Sequence, residues 1–176
     1  YEEKVKDKTK YIQEEDRKYI VESYVVNGEG NVVEGVDAFG LLDNLKAQFA
    51  APVADMQLPV FVAKLDDGTE LNVLSLYGAG LWGPVWGYIA LEGDWNTIYG
   101  AVYDHQGETP GLGAEISTPI FEHQFDGKPI FETEQFTSIA VLKGPGPPPA
   151  NTHPVHPTSG GTLTRRALHP TLPACL

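Results

Sequence analysis

The sequence is poor in cysteine, in basic residues and in long apolar runs. One of its 176 residues is cysteine, Cys175, so no disulfide can form within the chain, and the redox compartment stays open. Lys and Arg number 12 against 24 Asp and Glu, a net charge of −12. This balance argues against binding to nucleic acid, because clustered basic side chains hold a phosphate backbone. No run approaches the roughly 20 apolar residues that cross a bilayer.

Charge and proline content divide the chain into three regions. Residues 1–24 are rich in Glu and Lys with an apolar residue at every seventh position, which predicts a mostly solvated helix. Because this region starts the chain directly, without an initiator methionine, we expect a membrane anchor to have preceded it. Residues 25–143 hold enough apolar and aromatic side chains for one domain of ordinary size. Residues 144–176 contain eight prolines, which predicts an extended or disordered segment without regular helix or central strand.

Two helices in the middle region are predicted from their end signals. Asp37 is an expected N-cap for a helix over 38–49, since its carboxylate can accept backbone N–H groups of the first turn. Thr118, followed by a proline, predicts the cap of a short helix closed by Gly127. The buried side of this second helix is predicted to carry Phe121 and Phe125.

Strands are predicted through the rest of the middle region. Its β-branched and aromatic segments are a hairpin from Val60 to Leu76 around Asp66-Asp67-Gly68, a strand over Leu81–Leu91 with both faces covered, a returning strand over Thr97–Tyr103, and a strand over Phe136–Lys143. No βαβ alternation is visible. The predicted class is therefore α+β, a mainly antiparallel sheet with N-terminal helices and a short capped helix.

A glycine-rich loop, Gly107–Glu115, is expected directly after a strand. Its glycines let the backbone approach a planar ring or a phosphate, and Leu112 between two of them suits a flat apolar ligand. An ordinary tight loop has the same composition, and from physics alone that interpretation is the better one. The sequence shows no evident partner base for the acidic residues Glu108 and Glu115, so acid–base work is not expected of them.

Small residues also stand beside two indoles in Gly78–Trp86. Aromatic faces stack on other ring systems, and Trp82 lies where the predicted strand begins, a position that ligands usually reach. Ordinary core packing accounts for Trp86 equally well. A third segment, Ser159–Thr164, places hydroxyls around two glycines whose backbone N–H groups could bind phosphate. Composition alone favours a flexible linker there.

In their order and spacing, these three segments resemble the FMN-binding C subunits of the sodium-translocating NADH:quinone reductases, a family to which the G subunit of the Rnf electron-transport complex is related. The matching residues are Gly80, Leu81 and Trp82, then Glu108, Thr109, Pro110, Gly111, Leu112 and Gly113, and finally Ser159, Gly160, Gly161 and Thr162. The resemblance implies that these residues bind FMN and that a separate flavin transferase attaches it covalently, through its phosphate, to Thr162.

The resemblance also implies a role and a place. It implies an electron-transfer subunit of an oxidoreductase complex, without catalytic activity of its own, that works with other subunits to pass electrons toward quinone while sodium is exported. The chemistry then belongs to the flavin, and no metal is expected, since His105 and His123 lack the spacing of metal ligands. The domain would lie on the periplasmic side of the inner membrane, held only by an N-terminal transmembrane helix outside this chain.

The sequence departs from that family's pattern near Thr162. His156 stands where the family has an aspartate, Gly161 replaces an alanine, and Arg165 stands where the family continues with a serine. One alternative is a ligand-binding or structural domain that keeps the fold without covalent flavin, and His156 favours it. A second alternative, a free-standing flavin enzyme, would need acid or base residues beside the ring, and the sequence offers no such group.

Overall fold

The computed structural model describes residues 18–80, 82–110, 113–132, 135–136, 138–141 and 152–155. Within them, an antiparallel sheet has five strands in chain order: β1 (Ile20–Asn27), β2 (Gln57–Lys64), β3 (Glu70–Ala79), β4 (Pro84–Leu91) and β5 (Ile98–His105). Two smaller pairs follow: β6 (Phe131–Glu132) with β7 (Gln135–Phe136), antiparallel, and β8 (Ser138–Val141) with β9 (Thr152–Val155), parallel.

Short helices accompany the sheet. They are α1 (Ala38–Leu42), α2 (Leu45–Ala50) and α3 (Pro119–Glu122), with 3₁₀ turns at Val53–Asp55 and Gly113–Ser117. The Asp37 N-cap is confirmed, because its carboxylate accepts the backbone N–H groups of Phe39 at 3.1 Å and Gly40 at 3.2 Å. The single helix predicted over 38–49 is instead two helices, interrupted at residues 43–44. The α+β class with a mainly antiparallel sheet is confirmed.

The predicted hairpins are present, and their alternation sets the two faces of the sheet. Strands β2 and β3 pair with Val60 opposite Leu74, and Gly68 in their turn has a φ of 89°. The strand predicted over Leu81–Leu91 begins only at Pro84, so Trp82 lies in the preceding turn. Along β4 every second residue is buried, while Trp86 and Tyr88 on the opposite face are half-buried. Successive side chains of a strand point to opposite faces, so this pattern separates a core face from an outer face.

The main core lies on one face of the sheet. Its buried residues are Val60, Leu74, Leu76, Val85, Ile89, Leu91, Ile98, Ala101, Tyr103, Ile116, Phe121, Phe125, Ile130 and Val155. The rings of Tyr103, Phe121 and Phe125 pack in tilted and edge-on geometry with centroids 5.2 to 5.8 Å apart, which confirms the predicted buried phenylalanines. The other face is covered at the β1–β2 side, where Ala38 of α1 packs with Val25 and Phe61.

The helix predicted over 1–24 is wrong at its C-terminal end. Residues 20–24 are the first part of β1, which pairs with β2 from Tyr24 opposite Val60 to Val26 opposite Leu58. Backbone pairing with β2, supported by the buried Val25 and the half-buried Tyr24, outweighs the weak helical preference of this segment. Residues 1–17 lie outside the described part of the chain.

The proline-rich segment is not free of regular structure. Residues 152–155 form β9, and Val155 is fully buried in the main core. Pro154 is tolerated because β9 pairs with one neighbour, β8, and a proline without an N–H can occupy a strand that has an open edge. Of the strand predicted over 136–143, residues 138–141 are β8 and Phe136 belongs to β7.

Thr118 does not cap α3 with its side chain. Its hydroxyl donates instead to the carbonyl of Glu115, at 2.7 Å, and closes the preceding 3₁₀ turn. The helix itself ends at Glu122, earlier than the predicted end at Gly127, which has a positive φ of 71°. Competition from a local carbonyl is a known alternative for a threonine hydroxyl.

Candidate functional site

Two loops lie side by side at one end of the sheet: the β3–β4 turn, residues 80–83, and the loop after β5, residues 106–113. Strand register brings them together, since Val85 at the start of β4 pairs with His105 at the end of β5. The backbone N–H of Gln106 also donates to the carbonyl of Pro84 at 3.0 Å. Two of the three segments singled out in the sequence therefore meet in space.

Glu108 connects the two loops. Its side chain is buried, with the residue 6% exposed, and Oε1 accepts the backbone N–H of Trp82 at 3.1 Å. Its own backbone N–H donates to Nδ1 of His105 at 3.2 Å. One residue thus holds both the start of its own loop and the turn 26 positions earlier in the chain.

Residue 80 has no room for a side chain, so glycine is required there. Its N–H donates to the carbonyl of Gly83 at 2.8 Å, which closes the turn. A Cβ at residue 80 would lie 2.3 Å from Oε1 of Glu108 and 2.7 Å from the Gly83 carbonyl oxygen. Both distances are far below van der Waals contact, so the buried carboxylate fits only beside a glycine.

The side chain of Trp82 is exposed to solvent at this site. It is 66% exposed although tryptophan is a large apolar side chain, while the Glu108 carboxylate beneath its backbone is buried. An exposed indole on a short, hydrogen-bonded turn offers a face on which another ring can stack. Trp86, by contrast, is half-buried within β4 opposite Tyr77, which agrees with ordinary sheet packing.

The loop after β5 leads into the core. The carbonyl of Thr109 accepts the N–H of Ala114 at 3.2 Å, and the 3₁₀ turn that begins at Gly113 carries the buried Ile116. Gly113 is itself buried, whereas Thr109 and Pro110 are exposed. The start of this loop, at Gln106 and Gly107, stands beside the Trp82 turn. Its far end, at Gly113, is fixed in the core.

The structure places some of the predicted site residues and leaves others undescribed. It brings together Gly80, Trp82 and Glu108. Thr109, Pro110 and Gly113 follow in the same loop as Glu108, and their part in a site stays a prediction. Leu81, Gly111, Leu112, Ser159, Gly160, Gly161 and Thr162 lie outside the described residues, so their contacts stay predictions. Sequence reasoning missed the part played by Gly83, whose carbonyl accepts the Gly80 N–H and closes the turn, and by His105, whose ring Nδ1 accepts the Glu108 N–H. The signal for His105 was its position three residues before Glu108.

No group of three or more metal-ligating side chains is found in the described ranges. Nor does any helix in those ranges have the length and apolar character needed to cross a membrane.

The sequence profile of the FMN-binding domain family matches residues 80–175, so it begins at the glycine that packs against Glu108. The chain belongs to the FMN-binding domain family. This FMN-binding domain contains both described loops within the matched range, and the three segments that suggested the family all overlap it.

The chain is also similar to individual proteins within this family. The FMN-binding domain is 39% identical over 105 residues to the C subunit of the Na(+)-translocating NADH-quinone reductase of Vibrio campbellii, covering 60% of this chain and 40% of that protein. Among solved structures it resembles the same subunit from Parabacteroides distasonis, with 44% identity, a TM-score of 0.80, and coverage of 96% and 80%. Shewanella oneidensis NqrC matches with 27% identity, a TM-score of 0.71, and coverage of 91% and 79%.

The resemblance to the C subunits that the motifs suggested is therefore confirmed. The chain spans about 40% of the length of the curated relatives it matches.

Proposed function

We propose that this FMN-binding domain is an electron-transfer unit of a sodium-pumping NADH:quinone reductase and carries FMN joined through its phosphate to Thr162. The observation that carries the proposal is the meeting of the two loops, which leaves Trp82 exposed above the buried Glu108. The similarity to the C subunits of these reductases supports the same role.

The described residues fit the flat ring of FMN. Trp82 offers an exposed aromatic face, and the glycines of the two loops keep side chains away from it. When bound, FMN supplies the chemistry of accepting and donating electrons. The chain's own task is to bind and orient that ring, since none of the described residues at the meeting of the loops is arranged as a nucleophile with a base. Leu81 and Leu112 are proposed to add apolar contacts.

The position of Val155 supports Thr162 as the attachment point. Val155 is fully buried in the main core, and Thr162 follows it by seven residues. A chain of seven residues reaches at most about 25 Å. A phosphate on Thr162 would therefore lie within about 25 Å of Val155, and the covalent link would prevent loss of the cofactor between electron transfers.

The setting of the domain belongs to the same proposal. We propose that it assembles with other subunits of the reductase and that a flavin transferase completes it. It would lie on the periplasmic side of the inner membrane, attached by an N-terminal transmembrane helix outside this chain. The support for these points is the similarity to the reductase C subunits, of whose length the chain spans about 40%.

The test is the intact mass of the full chain co-expressed with a flavin transferase. Wild type is expected to gain the mass of FMN less one water, and Thr162→Val to gain nothing. Thr164→Val is the matched control, because it removes a neighbouring hydroxyl from the same segment and is expected to keep the increment. If the FMN increment is lost in Thr164→Val and kept in Thr162→Val, the attachment site is Thr164. If neither wild type nor any variant gains the increment, covalent attachment is overturned.

His156 favours the second candidate, a domain that keeps the fold without covalent flavin. The variant His156→Asp restores the acidic residue of the family's pattern, so it separates the two candidates. If only this variant gains the FMN increment, the substitution at residue 156 has abolished attachment in the natural chain. Wild type would then be mixed with free FMN and passed through gel filtration. Flavin absorbance that stays with the protein would identify a domain that binds FMN tightly without a covalent bond.

A further inference from the structure

We infer that Glu108 is a positioning residue that locks the β3–β4 turn onto the loop after β5 and so fixes Trp82 before any cofactor binds. The inference deepens the proposed function and rests on it in one respect, because the ring that Trp82 would stack on is the FMN of the proposed function. The lock itself is a property of the protein alone.

Trp82 and Glu108 differ in burial, and the difference indicates different roles. A ligand arriving at the two loops meets Trp82, which is 66% exposed, whereas Glu108 is 6% exposed and lies beneath the turn. The Glu108 carboxylate reaches Trp82 through the backbone N–H and not through the indole. A hydrogen bond from a backbone N–H to a carboxylate is among the stronger kinds, so it restrains the main chain from which the indole projects.

The position of the carboxylate is set from two directions. Its backbone N–H is bonded to His105 at the end of β5, which fixes where the side chain begins. Its Oε1 then occupies the space next to Gly80, where a Cβ would come within 2.3 Å. Because the backbone and the carboxylate end are both fixed, the turn is held without help from a ligand.

Gly80 and Glu108 should therefore be energetically coupled. Gly80→Ala places a methyl group against the carboxylate, and Glu108→Ala removes that obstacle while the Gly83 carbonyl remains close. In a double-mutant cycle the alanine at 80 is expected to be less disruptive when residue 108 is also alanine. A merely local glycine requirement at the turn would give no such dependence on residue 108.

The experiment uses the flavin-free full chain labelled with 5-fluorotryptophan, which gives one ¹⁹F resonance for each of three tryptophans. Trp82→Phe assigns the relevant resonance, and Trp95 in the β4–β5 turn is the internal control. Glu108→Ala is expected to shift and broaden the Trp82 resonance, to leave that of Trp95 unchanged, and to speed hydrogen exchange of the Trp82 amide about tenfold to a hundredfold. Glu108→Gln keeps an oxygen that can accept the bond, so it is expected to restore the wild-type signals.

An unchanged Trp82 resonance in Glu108→Ala overturns the inference, and so does a Glu108→Gln protein that behaves like Glu108→Ala. If Glu108→Ala fails to fold, Gly80→Ala replaces it, because it displaces the same carboxylate; a wild-type Trp82 resonance in that variant overturns the lock. All of these measurements are made without FMN. A failure of the flavin-attachment test therefore leaves their outcome intact.

Discussion

Two neighbouring hairpin turns of the same sheet are held in different ways. The β2–β3 turn, residues 65–69, is stabilised within itself: the N–H of Leu65 donates to the carbonyl of Thr69, and that of Gly68 to Leu65, both at 2.9 Å. The Asp67 carboxylate also accepts the N–H of Thr69 at 2.9 Å. Each of these contacts spans at most four residues.

The β3–β4 turn, residues 80–83, depends on a distant residue. Its internal backbone bond runs from Gly80 to Gly83, and the carboxylate of Glu108 supports it from beyond the next two strands. The hydrogen bonds of the first turn lie within its own sequence, and its contact with Lys18, through Asp66 at 3.7 Å, is an exposed ion pair. The second turn takes a hydrogen bond from a residue that only the completed sheet brings near. The turn that depends on the rest of the fold is also the one that carries the exposed Trp82.

The largest effect is expected from Gly80→Ala. The new Cβ would clash with the backbone carbonyl of Gly83, whose hydrogen bond closes the turn, and with the Glu108 carboxylate, which is hydrogen-bonded to the Trp82 N–H. We expect the free energy of unfolding to fall by about 3 kcal/mol, the upper part of the range for overpacking. Urea denaturation followed by circular dichroism measures it.

Gly107→Ala is the matched control for that variant. Its Cβ would lie 3.4 Å from the carbonyl oxygen of Trp82, an ordinary contact within the same pair of loops. We expect a change within about 0.5 kcal/mol. Equal losses in the two variants would contradict the claim that the carboxylate of Glu108 sets the requirement for glycine at residue 80.

A smaller effect is expected from Gly68→Ala in the self-contained turn. The space around Gly68 is open, so the cost arises from its φ of 89°, a conformation that costs other residues about 1–2 kcal/mol. Gly93→Ala, in an equally open position without a positive φ, should be nearly neutral. The Trp82 resonance should not respond to Gly68→Ala, and a response would mean that the two turns are coupled.

The same contrast explains how much of the fold could be predicted. Asp67-Gly68 and Asp37 are local signals with local partners, so the hairpin turn and the N-cap followed from the sequence. The predicted helix over residues 20–24 failed because the pairing of β1 with β2 is a long-range interaction that outweighs local preference. The strand at Pro154 was missed for the same reason, since its partner β8 lies more than ten residues earlier.

The candidate site was predictable in its composition but not in its geometry. Glycines beside Trp82 and Glu108 indicated two loops suited to a ring, and the structure brings them together. Nothing local indicated that Glu108 would face inward and bind the backbone of the turn. That arrangement follows from the register of β4 and β5, which a single sequence does not specify.

The smallest effect concerns pH and the self-contained turns. Hydrogen bonds from the backbone and side chain of Thr69 lower the pKa of Asp67, and the side chain and backbone of Thr97 lower the pKa of Asp94 in the β4–β5 turn. A carboxylate whose pKa is lower in the folded protein stabilises it above the unfolded value of 3.8, and this contribution is lost as the pH falls through the folded pKa. Asp67→Asn should therefore be less stable than wild type at neutral pH, and the gap in stability should narrow as the pH falls below 3.8 and through the folded pKa of Asp67.

Urea midpoints at neutral pH and at a series of pH values below 3.8 measure this gap, and Asp94→Asn repeats the test in an independent turn. The differences should be small, because both carboxylates are exposed and water screens their interactions. The Trp82 turn should keep its ¹⁹F signature in both variants at neutral pH, since neither aspartate takes part in holding it. If the difference in stability between wild type and the Asp→Asn variants stays the same in acid, the aspartates act through their shape and not through their charge. Electrostatics would then not contribute to the difference between the two kinds of turn.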